Sequence, residues 1–166
     1  MKLLVSACLV GQRVRYNGGT CTVDGTVLEK WAARGLVIPF CPEVAGGLPV
    51  PRPSAEIHGS GGESVLDGSG QVVTGAGADV TQAFLCGARC ALEVARAAGV
   101  RVAILKEASP SCGSSSIHDG SFSGRCVPGR GVTAALLLRN GIAVFSEKEI
   151  AAALVHLDRI APGGDV

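Results

Sequence analysis

Apolar residues in this chain follow two patterns: short unbroken runs, and longer stretches at helical spacing. The runs are Leu3–Ala7, Val37–Phe40, Val102–Leu105 and Ala143–Phe145. Each is short and bounded by Gly, Pro or polar residues, as expected of strands buried on both faces. Helical spacing predicts a helix over 27–34, with Val27, Leu28, Trp31 and Ala32 on one side and Gly35 as its stop. A longer helix is predicted from Asp79 or Thr81 to about Ala98, its apolar positions mostly three or four apart, ended by Gly99. Two more are predicted over 132–139 and 149–159.

The segments between are polar or rich in Gly and Pro. Gly11 to Gly19 is a loop carrying Arg13, Arg15, Tyr16 and Asn17, and Pro49 to Gly62 is an excursion over the surface. Val65–Leu66 and Val72–Thr74, separated by Asp67-Gly68-Ser69-Gly70, predict a small hairpin. Strands alternating with helices imply right-handed crossovers and a mostly parallel sheet covered on both faces. The expected fold is a Rossmann-like three-layer α/β sandwich with that hairpin as an excursion. One domain is expected over residues 1–160, followed by a flexible tail at 161–166.

Composition narrows the functional classes. A net charge of +1 gives no reason to expect affinity for nucleic acid or a membrane surface. Seven cysteines are an odd number for a disulfide framework. The apolar stretch before Cys8 is too short for a signal-peptide core. A reducing cytoplasm is expected, where thiols stay free to bind metal.

Three of those thiols stand out by position. Cys8 and Cys41 end the first two runs, and Cys112 follows the third through Lys106–Ser111. Parallel strands would open all three ends onto one sheet edge, where ligands bind in such folds. Soft thiolates there select zinc, copper(I) or an iron–sulfur cluster, and the spacing does not choose among them. Cys86 and Cys90, four apart among Ala, Leu and Phe, read as core packing. Cys21 and Cys126 read as incidental.

Glu43, two residues after Cys41, is placed either as a solvated loop carboxylate or as a general acid–base group in a partly dry cleft. Ser109 and Ser111 could orient a ligand or relay a proton, or serve the turn alone. Arg52 and Glu56 suit ion pairing as well as ligand binding, and His118 beside Asp119 is a weaker candidate ligand. No Gly-x-Ser-x-Gly elbow and no nucleotide-binding glycine pattern is present.

Taken in order, several motifs resemble the thiouracil desulfurase family. They include Ser6-Ala7-Cys8-Leu9-Val10-Gly11, Arg15-Tyr16-Asn17-Gly18, Cys41-Pro42-Glu43, Pro51-Arg52, Lys106-Glu107, Ser109-Pro110-Ser111-Cys112-Gly113 and Asp119-Gly120-Ser121-Phe122. The match spans about residues 2–150. Many relatives carry a further cysteine where this chain has Val14, a position outside the expected ligand set.

The resemblance implies a [4Fe-4S] cluster held by Cys8, Cys41 and Cys112, with the fourth iron open to the sulfur of a thiocarbonyl. It implies Glu43 as the acid–base group and Ser109 as its partner. The expected reaction is a non-redox desulfuration in which water replaces sulfur at carbon. The substrate is a small thiolated molecule, a thiobase or thionucleoside, and Arg15, Asn17 and Ser111 are its expected contacts. Two other readings use the same thiols: a cluster-dependent sulfur carrier, and a non-catalytic module holding structural zinc, with Cys126 or His118 as a fourth ligand.

Overall fold

The computed structural model describes residues 1–23 and 26–161. Its core is a four-stranded parallel sheet of β1 (Leu3–Ser6), β2 (Val37–Phe40), β5 (Val102–Leu105) and β8 (Ala143–Ser146), in the order β2-β1-β5-β8. All four expected runs are strands. The intervening elements are α1 (Thr26–Ala33), α2 (Pro42–Ala45), β3 (Ala55–His58), α3 (Gly62–Leu66), β4 (Gln71–Thr74) and α4 (Thr81–Ala97). After β5 come β6 (Ser116–His118), β7 (Cys126–Pro128) and α5 (Val132–Arg139), and α6 (Ile150–Ile160) ends the order. Most of the expected tail, 162–166, lies outside the described residues.

The pleat explains the three layers. Leu3, Val5, Val102 and Ile104 point to one face and pack with Leu28 of α1 and with Ala153 and Leu157 of α6. Leu4, Ala103 and Leu105 point to the other, against Ala91, Leu92 and Ala95 of α4 and Ala134 and Leu137 of α5. β2 is only partly buried, because it is the edge strand, and Pro39 there is tolerated at an edge.

Two expectations for residues 49–74 are corrected. The excursion contains β3, whose Glu56 and Ile57 are buried. The expected hairpin does not form: Val65 and Leu66 belong to α3, and β4 pairs antiparallel with β3 instead. Val65 turns inward to join Ile57, Val72 and Phe84 in a third apolar cluster, which tertiary packing favours over a local strand pair.

Chain order reverses at β1, with β2 on one side and β5 on the other. A crevice opens at such a switch point beyond the carboxyl ends of the strands. α2 frames it from the side, seated directly on α4. A Cβ on Gly87 would run into the Pro42 carbonyl, and one on Gly46 into that of Ala83.

Candidate functional site

That crevice holds a cavity of about 450 Å³. Cys8 reaches it from the 3-10 turn Ala7–Val10 after β1, Cys41 from the junction of β2 and α2, and Cys112 from the loop after β5. Glu43, Ser109 and Arg15 also line it.

Each thiol resists ionisation. Burial pushes the Cys8 thiol up to about 11, helped by negative charge at Cys21 and Cys41 and opposed by Arg15 and Lys106. Burial pushes Cys112 up to about 12, opposed by a hydrogen bond from Ser6 and reinforced by Cys41, Glu43 and Cys8. Burial also raises Cys41, while the N–H groups of Val44 and Glu43 in α2 favour its thiolate. Such a crowded soft donor set becomes favourable as thiolate only against a cation. Among the described residues, no three His, Cys, Asp or Glu side chains stand close enough to share one metal ion. The thiols frame the cavity without meeting at a point.

Glu43 sits in the first turn of α2, with its Oε1 3.1 Å from Arg52 Nε. Burial raises its pKa, and the Arg52 charge and hydrogen bond only partly offset that. Arg52 donates on from Nη1 to Pro49 O at 3.1 Å and from Nη2 to Val14 O at 2.9 Å, which fixes its guanidinium plane. Of the two roles open to Arg52, ion pairing is the one seen.

The loop carrying Cys112 is tied to a buried carboxylate. Glu107 accepts from the N–H groups of Ser114, Ser115 and Ser116 at 3.0–3.1 Å and from the hydroxyls of Ser114 and Ser115 at 2.8 and 3.0 Å. Burial alone would raise its pKa, but those N–H and O–H donors bring it down to about 2. Ser109 Oγ accepts from the N–H groups of Ser111 and Cys112, leaving its own proton to donate.

Two expected substrate contacts are not brought to the cavity. Ser111 is buried behind its wall, with its hydroxyl 3.1 Å from that of Thr133. Asn17 does not line the cavity, and its Oδ1 accepts from Gly19 N at 2.9 Å. His118 reaches the rim, with Nδ1 3.7 Å from Cys126 Sγ. Core packing fails for Cys86, which is exposed; the buried face of α4 runs through Phe84, Ala88, Ala91 and Ala95 instead. Sequence reasoning missed Ser6, whose hydroxyl accepts from Lys106 N at 2.9 Å and lies beside the Cys112 thiol, favouring its thiolate. It also left Phe122 unassigned, although that ring lines the cavity.

The 2-thiouracil desulfurase family model matches residues 3–149. The chain belongs to this family. The solved structure of the [4Fe-4S]-dependent thiouracil desulfidase TudS, at 46% identity, superposes with a TM-score of 0.88 over 96% of this chain and 99% of that one. The uncharacterized protein YbbK of Bacillus subtilis (strain 168) is 44% identical over 148 residues, covering 89% of this chain and 97% of its own. The family match takes in all four strands of the central sheet and ends just before α6. No helix among the described residues is long and apolar enough to cross a membrane.

Proposed function

We propose that this chain desulfurates a small thiocarbonyl compound such as 2-thiouracil: the C=S bond and water become C=O and hydrogen sulfide, with no net oxidation or reduction. The observation that supports this best is the placement of Cys8, Cys41 and Cys112 around one cavity that also holds Glu43 paired to Arg52. The donor set fits an iron–sulfur cluster, whose irons can each take one thiolate. Cys8, Cys41 and Cys112 would hold a [4Fe-4S] cluster, which supplies an iron without a protein ligand as a soft Lewis acid toward thione sulfur.

The chain's own residues carry the proton chemistry. Arg52 holds Glu43 Oε1, leaving Oε2 to take a proton from water attacking the thiocarbonyl carbon. Ser109 donates its hydroxyl proton to the substrate while two backbone N–H groups hold its oxygen. Arg15, on the wall, adds positive charge for an anionic ring or developing oxyanion. Residues 1–160 act as one domain in this reading. The seven unpaired cysteines suit a reducing compartment such as the cytoplasm.

Anaerobic purification with iron and sulfide quantitation, followed by incubation with 2-thiouracil, tests the reading. About four irons and four sulfides per chain, lost in Cys8→Ala, Cys41→Ala and Cys112→Ala, with uracil and sulfide as products, are expected. A protein that stays iron-free after reconstitution overturns it.

A further inference from the structure

Among the described residues, two that are not glycine have a positive φ, Ala108 at 62° and Phe122 at 56°, and both line the cavity. A left-handed conformation strains a non-glycine residue and persists where surrounding contacts over-determine it. For Phe122 those contacts are visible. Glu56 is buried on β3, and its Oε1 accepts from Gly120 N at 3.0 Å and Phe122 N at 3.2 Å. His58 Nε2 donates to Gly120 O at 3.0 Å, and its ring meets Phe122 edge-on at 6.5 Å. The loop between β6 and β7 is therefore latched to β3, and Phe122 stays 37% exposed while lining the cavity. The chain's one tyrosine, Tyr16, is also exposed and lines the same cavity.

Burying an apolar ring is the usual outcome, so a strained backbone that holds one partly open calls for a ligand face. We propose that Phe122 is a specificity-determining stacking wall that selects planar conjugated thiones over aliphatic ones, with Glu56 as its positioning residue. The proposal rests on the desulfurase reading and adds to it the residues that choose the substrate. Stacking a heteroaromatic ring on an aromatic side chain contributes about 1–3 kcal/mol, and 1.4 kcal/mol is tenfold in affinity.

The test compares anaerobically prepared holoenzyme variants on 2-thiouracil and on thioacetamide. Phe122→Leu is expected to raise KM for 2-thiouracil about tenfold, with kcat within about twofold and thioacetamide hardly affected. Phe122→Trp should restore the preference, and Glu56→Ala, which removes the acceptor of both N–H groups, should reproduce the selective KM effect with iron content unchanged. Equal losses on both thiones, or an unchanged preference, overturn the proposal. A second reading needs no turnover: in a Trp31→Phe background, the indole of Phe122→Trp is expected to be quenched by 2-thiouracil and not by thioacetamide. If the wild type leaves both thiones intact, the desulfurase reading falls, and absence of quenching by 2-thiouracil overturns the stacking wall independently.

Discussion

Arg52 Nε lies 3.1 Å from Glu43 Oε1, with the two side chains only 4% and 17% exposed. The pair joins the strand-end motif of Cys41 to the Pro-rich segment, and Arg52 also bonds the carbonyls of Val14 and Pro49. One guanidinium thereby ties α2, the 11–19 loop and the Pro-rich segment together at one wall of the cavity. A buried pair of this kind is costly to break on one side only, since the remaining charge is left without a partner. Arg52→Met is expected to destabilise by about 3–5 kcal/mol, read from urea unfolding. Glu43→Leu with Arg52→Met should recover much of that loss. Strictly additive single losses in this double-mutant cycle would show that the pair is not coupled.

Glu43→Gln keeps the shape and an acceptor for Arg52 but cannot take a proton. Turnover of 2-thiouracil is expected to fall about 10²–10⁴-fold, the usual worth of a general base, with iron and sulfide content unchanged. Full activity in Glu43→Ala would remove Glu43 from the chemistry.

The framework of this fold is written in apolar periodicity, and its site only partly so. Leu3–Ser6, Val37–Phe40, Val102–Leu105 and Ala143–Ser146 were readable as strands because both faces of each, or one face at the sheet edge, must be apolar. Parallel strand ends then brought Cys8, Cys41 and Cys112 to one edge without any motif linking them. β3, α3 and β6 were not readable, because each is about one turn or one pair long and takes its pairing from distant residues, as Ile57 does with Val72. The same reason hid Glu107 and Glu56. Glu56 bonds backbone N–H groups of a distant loop, and Glu107 mostly those of the residues just ahead of it, and a backbone N–H leaves no trace in residue type. Ser111 and Asn17 carry plausible side chains at plausible positions, but Thr133 and Gly19 claim them.

Glu107 predicts an acid limit to stability. Its carboxylate is held at about 2 against an ordinary 4.5, so the folded state gains stability from the ionised form. That gain is complete above about 4.5, and it is lost as pH falls from there through about 2. With allowance for solvent reaching the loop, the contribution is of the order of 2 kcal/mol. Urea midpoints at pH 7 should be lower for Glu107→Gln than for wild type, and the gap should narrow steadily between pH 4 and pH 2.5. A gap that is constant over that range would assign the effect to packing instead of charge.

Gly87 predicts a site defect from a residue that does not itself line the cavity. It lies on the buried face of α4, where the backbones of α4 and α2 approach so closely that a Cβ would meet the Pro42 carbonyl. Backbone on both sides cannot yield as a flexible side chain would, so Gly87→Ala must push α2 outward. Cys41 and Glu43 flank Pro42, and both move with it. Overpacking of this size costs about 1–3 kcal/mol, which leaves a folded protein to assay. The expected result is a lowered melting temperature together with reduced iron retention and 2-thiouracil turnover. Leu138→Ala, at an exposed position on α5, should leave iron retention and turnover unchanged. If Gly87→Ala lowers the melting temperature yet retains full iron and full turnover, α2 does not need its seat on α4 to present Cys41 and Glu43.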